Sequence, residues 1–433
     1  ILSGFWGVVV TDLVQFVIAM FGSIALAIIA LNYVGGMEVL LSKLNELLGS
    51  DVVTDNTLKF IPPIPDTGVA TQTFWESPFS KFLIFISVMW WSHHGTDGGG
   101  YIIQRMSSAK NERHALLATL WFNIAHYALR VWPWIIVAVV SIVMFPIIPS
   151  EYSELGVKAG YPLVMNTLLG PGLKGILIVS FLAAFMSTID THLNWGVSYL
   201  INDIYKRFFK PNETERHYVL VGKIMTVILM ILAAFTALKM QSISKAWEFI
   251  FAMGAGIGLV LILRWFWWRV NAWSEITALA TSIVITISFE IIAYFQTINN
   301  NLEYSLFGSA PSIFGMSLQV HHKLMIIVPI AIIAWVTVTF FTEPEPMTKL
   351  ETFYKRVQPG GWWGPVTSSF DHTLQPVTKG IFILWLAGVM MIYGFTFGIG
   401  NLIFQNYSAS VILFGFAGIG SYLIWNRNIS KLT

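Results

Sequence analysis

Long apolar runs separated by short polar connections dominate the chain, and their length predicts membrane-spanning helices. Ten runs approach or exceed the roughly 20 helical residues that cross a bilayer. They cover about 5–34, 79–95, 114–146, 172–200, 217–240, 243–268, 274–296, 321–342, 378–400 and 405–426. The second is marginal, because it ends in the polar sequence Ser92-His93-His94-Gly95-Thr96-Asp97. Lys and Arg gather in alternate connections, at 105–113, 206–216, 264–269, 349–379 and 427–431. The other connections hold fewer: Lys43, Lys59, Lys81, Lys158, Lys174, Lys239, Lys245 and Lys323. Because cytoplasmic loops carry the excess of Lys and Arg, this alternation predicts both termini inside. Trp265, Trp267 and Trp268, set between Arg264 and Arg269, read as interfacial anchors at the inner end of the sixth run; an aromatic ligand box is the alternative. The Pro- and Gly-bearing connection 343–377 reads as a structured inner loop.

Composition supports this reading. Hydrophobic residues make up 55% of the 433 and charged residues 11%, against about 25% charged in an ordinary soluble domain. A net charge of +2 gives no reason to expect a nucleic-acid partner. With no cysteine there is no disulfide framework, thiol nucleophile or thiolate metal site. The chain opens on Ile1 and enters an apolar run almost at once, which predicts that it begins partway through a longer protein. All of this describes one all-α integral membrane domain over 1–433, multi-pass, with the lipid bilayer as its surroundings.

Polar groups inside a membrane helix are costly, so their positions carry information. The fourth run is the richest. At 100° per residue, Ser180, Ala184, Ser187, Thr188, Thr191, Asn194 and Ser198 share one stripe, with Asp190 at its edge about 60° from Ser187. Leu182, Phe185, Ile189 and Leu193 occupy the opposite face. Two readings stand. Small and hydroxyl residues let helices approach closely; alternatively, hydroxyls and a carboxylate supply hard oxygens for a small cation. One helix cannot complete the shell of such an ion, so carbonyls from a broken helix would be needed as well.

Residues 170–205 resemble the signature segment of the sodium:solute symporter family, which includes sodium/glucose, sodium/proline and sialic acid transporters. The resemblance extends to Val9-Val10-Thr11-Asp12-Leu13-Val14-Gln15 and to Tyr101-Ile102-Ile103-Gln104-Arg105. It implies a LeuT-type inverted-repeat transporter fold, in which the first six runs (1–268) are core helices five to ten and 269–433 forms peripheral helices. The N-terminal core helices are absent from the sequence on that reading. The resemblance further implies sodium as the coupling ion, with Ala184 (carbonyl), Ser187 and Thr188 (hydroxyls) in the main sodium site. A second cation site falls on Asp12, Ser187, Asp190 and Thr191. Asp190 departs from the hydroxyl that relatives carry, so this site could hold sodium more strongly, another ion or a proton.

On the solute side, Ser92, His93, His94 and Asp97 with the glycines at 98–100 fall where the family's sixth core helix lines the substrate cavity and inner gate. The glycines permit unwinding. Histidines replace the aromatic gate residues of relatives, which tells against sugar stacking. A metal centre on His93, His94 and Asp97 is the weaker alternative, since adjacent helical histidines point about 100° apart. Arg130, midway along the third run, needs a cavity or a partner. Either Asp97 or Glu248 pairs with it, or it binds an anionic solute such as a carboxylate. Trp247 and Glu248 precede the hinge-like Gly254-Ala255-Gly256-Ile257-Gly258. The expected activity is sodium-coupled symport of a small organic solute across the cell's inner membrane. A transporter-like sensor region and a membrane enzyme are the alternatives; solute, stoichiometry and oligomeric state are not legible.

Overall fold

The computed structural model describes residues 4–48, 61–64, 74–152, 155–240, 242–300, 307, 310–313, 316–368 and 378–426. Lys59, Arg427 and Lys431, which enter the topology argument, lie outside the described residues. The described residues are almost wholly helical. Helix α1 (Gly4–Val34) is followed by α2 (Met37–Leu48). Helix α3 (Pro78–Ile84) starts where the Ser77 side chain accepts from Ser80 N and Pro78 fills the first turn. A π-helical turn (Phe85–Met89) carries α3 into α4 (Trp90–Ser92), and α5 (Gly99–Ser107) resumes after a break. Helix α6 (Glu112–Asn123) runs through a second π-helical stretch (Ile124–Leu129) into α7 (Val131–Met144).

Next come α8 (Gly160–Leu168), α9 (Pro171–Tyr199) and α10 (Glu215–Lys239), then α11 (Ile243–Met253) and α12 (Gly258–Phe266). The remaining long elements are α13 (Ala272–Asn299), a hairpin of β1 (Ser312–Ile313) and β2 (Met316–Ser317), α14 (Val320–Phe341) and α15 (Met347–Val357). After a short turn at Gly364–Thr367, α16 (Thr378–Ile403) and α17 (Tyr407–Ile424) close the described chain.

Among the described residues eight helices are long and apolar enough to cross a membrane, and the pair α11–α12, bent by 40°, makes a ninth if it is one span. The second expected run differs. Helix stops at Ser92 because His93 turns extended (φ −91°, ψ 166°), and Gly98 and Gly99 take positive φ, which costs a glycine little. Helix 78–92 is therefore short of a simple span. The fourth run instead outlasts its apolar stretch: after α9 a π-helical segment (Leu200–Phe209) continues the helix, with no glycine or proline to stop it before Pro211.

The chain divides into two compact units that interleave along the sequence. The first comprises Ile1–Leu58, Phe122–Ala237 and Ile392–Ala417. Its core gathers Leu26 and Ala30 of α1, Leu40 and Leu44 of α2, Val137 and Val140 of α7, Val164 of α8 and Leu177 of α9. Gly22 lets α1 approach α9, since a Cβ there would press on Leu177. The second unit comprises Lys59–Trp121, Leu238–Met391 and Gly418–Thr433. There α13 and α14 pack along their lengths, around Phe289, Leu324, Ile327 and Val328 at one level and Ala278 and Trp335 at another. The described part of the expected inner loop (343–368) packs on the C-terminal end of α12. Trp362 bridges to Trp267, and the Trp363 indole donates to the Trp265 carbonyl at 3.0 Å.

Candidate functional site

In the first unit α9 carries the polar stripe past α1. The Ser187 hydroxyl donates to the Asp12 carboxylate, joining the two elements whose motifs the sequence singled out. Thr188 Oγ1 donates to the Ala184 carbonyl at 2.9 Å. In both pairs the proton is used internally while hydroxyl oxygens keep lone pairs, the electrons a cation needs. Thr191 Oγ1, one turn beyond Ser187, is buried without a hydrogen-bond partner. The structure therefore brings Asp12 to Ser187. Asp190 is engaged on its own helix, accepting from Asn194 Nδ2 at 2.9 Å.

The second unit holds two helix breaks that meet. A side chain at Gly258, where α12 begins, would fall on the carbonyls of Trp91 and Ser92 at the end of α4. Gly254, at the end of α11, lies against the His94 ring. His93 Nδ1 accepts from Gly95 N at 2.9 Å and its ring lies 5.9 Å from that of Phe251, so it belongs to the turn and not to a chelating pair. Ser92 is fully buried and its Oγ has no partner. Asp97 closes the turn: Oδ1 accepts from Gly99 N at 2.9 Å and Oδ2 from Arg264 Nη2 at 2.8 Å. Arg264 Nη1 also reaches Glu275 Oε1 at 2.7 Å.

These bonds correct the partners expected for Arg130. Asp97 is held by Arg264, and Glu248 pairs with Lys245 at 2.9 Å, one helical turn away on α11, where that bond forms locally. Trp247 is half exposed and lies beside Phe251, ring centroids 5.6 Å apart. Arg130 itself contacts His126, Nη2 to Nε2 at 3.3 Å.

Residues 1–284 match the sodium:solute symporter family. The chain belongs to that family. Its members are transporters, not enzymes. The chain is 25% identical over 374 residues to sodium/glucose cotransporter 1 of Oryctolagus cuniculus, covering 80% of this chain and 54% of that protein. It is 25% identical over 293 residues to a sodium/mannose cotransporter of Bos taurus, covering 63% and 48%. Against a sodium/proline symporter of Haemophilus influenzae it is 36% identical over 107 residues, 24% of this chain and 21% of that one. The chain spans about half the length of the sodium/glucose and sodium/mannose relatives.

For this symporter-family chain the sequence singled out Asp12, Ser187, Asp190 and the 92–97 turn, and missed Arg264 and Glu275. Arg264 entered only as a marker of the inner side. A sharper signal was present: an arginine on the hinge-bearing sixth run, with an acid in the first turn of the next helix, both near a connection.

Proposed function

We propose that the protein is a sodium-coupled secondary active symporter of a small organic solute, seated in the cytoplasmic membrane with a LeuT-type inverted-repeat fold. The observation that carries this is the Ser187–Asp12 bond on a helix whose neighbouring hydroxyls, Thr188 and Thr191, face the same stripe. Sodium is cargo here. In this reading Ala184 O, Ser187 Oγ and Thr188 Oγ1 supply part of the main sodium shell. Asp12, Ser187, Asp190 and Thr191 form a second cation site, taken by sodium or by a proton. A carboxylate kept in low dielectric favours a cation beside it, and the unpartnered Thr191 hydroxyl offers a ligand at no cost in broken hydrogen bonds.

In this reading Ser92, His93, His94, Asp97, Trp247 and Glu248 contact solute in the second unit, where unwound backbone leaves polar groups for a ligand, and Arg130 of the first unit is a further solute contact. Sodium stabilises the state that binds solute, because it interacts better with that state than with the alternative. The gradient then drives both ions and solute inward as the protein rocks between states. The test is uptake by the intact protein in proteoliposomes, with labelled sugars, amino acids and carboxylates, under an inward sodium gradient or an equal potassium gradient. Uptake of at least one solute under sodium alone is expected; a panel with no sodium-driven uptake contradicts the reading.

A further inference from the structure

The indoles that the sequence sets between Arg264 and Arg269 do more than line a membrane interface. Helix α12 ends at Phe266, and the backbone turns extended at Trp267 (φ −135°, ψ 110°). Trp267 packs on the fully buried Trp335, ring centroids 6.2 Å apart, so this wall is fixed. The connection after α15 closes in from the other side. Trp362 N donates to the Phe266 carbonyl at 2.6 Å, an approach that Gly361 permits, since a Cβ there would strike that carbonyl. Trp363 stacks on Phe353 of α15 with centroids 5.5 Å apart. Between these walls lies a cavity of about 290 Å³, lined chiefly by the rings of Trp265, Trp267, Trp268, Phe353 and Trp363, with Arg264 at one wall. That volume stands at the lower end of the roughly 300–1,000 Å³ of small-molecule sites.

Charge and place narrow the occupant. Three long helices meet here at their ends, α12 at Phe266, α13 at Ala272 and α14 at Phe341, on the side where Lys and Arg concentrate. Arg264 is already neutralised by Asp97 and Glu275. Arg269 is not: among the described residues no carboxylate pairs with it, and its Nε is buried without a partner. Glu345, on the connection below α14, pairs with Lys349 instead. Arg269 Nη2 donates to the Phe340 carbonyl at 3.1 Å, and its guanidinium lies 5.5 Å from the centre of the Phe340 ring. That ring stands 5.7 Å from Trp267, so an uncompensated cation sits one ring away from the cavity. Phe340 and Phe341 are exposed at the end of a span, where lipid surrounds them, and the lipid-facing surface therefore runs into the cavity wall. A soluble anion gains nothing from aromatic walls. A phospholipid gains from both, since its chain is apolar and its phosphate suits a guanidinium.

We propose that this cavity binds an anionic phospholipid of the cytoplasmic leaflet, an acyl chain entering among Trp265, Trp267 and Phe353 while the phosphate meets Arg269. The site depends on the orientation drawn from Lys and Arg and is independent of sodium coupling. The test strips the intact protein of lipid in detergent and titrates it with three probes: phosphatidylglycerol, phosphatidylcholine of the same chains, and glycerol phosphate, which has the charge without the chains. Retained lipid is counted by native mass spectrometry and stability is read as the unfolding temperature. Phosphatidylglycerol is expected to be retained and to raise the unfolding temperature by mass action; the other two do neither at the same concentration. Arg269→Gln weakens retention about fivefold, the loss of one cation at a lipid surface, and Arg269→Lys recovers part of it. Arg216→Gln, which removes an exposed cation from another basic connection, leaves retention unchanged. The three probes on the unmodified protein decide the matter even if Arg269→Gln does not fold. No retention of phosphatidylglycerol, equal retention of phosphatidylcholine, stabilisation by glycerol phosphate, or equal losses in Arg269→Gln and Arg216→Gln overturns the inference.

Discussion

At the scale of single residues, the argument turns on where protons and lone pairs go. Ser187 gives its proton to Asp12 and Thr188 gives its proton to Ala184, so both oxygens stay available to a cation. Asp190 behaves differently, since its carboxylate already accepts from Asn194. If it belongs to a second cation site, Asp190→Asn lowers the number of sodium ions moved per solute, or removes a pH dependence of uptake. Reversal potentials measured at several pH values check this; an active variant with unchanged ratio and pH profile excludes Asp190 from ion coupling. The stripe was legible because serine and threonine at helical spacing in an apolar run are conspicuous. Asp12 was not legible as its partner from spacing, because the contact joins residues 175 positions apart; only the family resemblance pointed to it. Arg130 was legible as costly, but its two candidate acids each pair with a cation of their own unit, Asp97 with Arg264 and Glu248 with Lys245.

At the scale of elements, the two broken helices of the second unit matter most. Glycines at 98–100 and 254–258 announced unwinding, and the turns formed there. That the breaks meet was hidden, since a glycine records permission to approach and not what approaches. Arg264 ties the first break to α13 by holding both Asp97 and Glu275. Removing it leaves two carboxylates without their cation, so Arg264→Met lowers the unfolding temperature, and adding Asp97→Asn restores part of it. Coupling of about 1–3 kcal/mol is expected for residues in one ion-pair network. Measured in detergent as a double-mutant cycle, additivity within about 0.5 kcal/mol contradicts a working link.

At the scale of the whole molecule, hydropathy alone was enough to identify a multi-pass helical protein, while the number of spans was less secure. The expected ten become eight, or nine with the bent pair, among the described residues, because helix 78–92 ends early at the glycine-rich turn. Orientation rests on Lys and Arg alone and is directly testable, since the chain contains no cysteine. Lys110→Cys should react with an impermeant maleimide only from the cytoplasmic side, and Lys158→Cys only from the opposite side; the reverse pattern inverts the topology. The central claim is that this protein binds sodium through the stripe on α9, and it can be tested without knowing the solute. An ion that binds the folded state raises its stability by mass action. The decisive measurement is the unfolding temperature of the intact protein in sodium chloride and in potassium chloride at equal ionic strength. The account predicts a higher value in sodium, and no difference between the salts for Ser187→Ala combined with Thr188→Ala. Equal values for the unmodified protein, or a sodium effect that survives both substitutions, would contradict it.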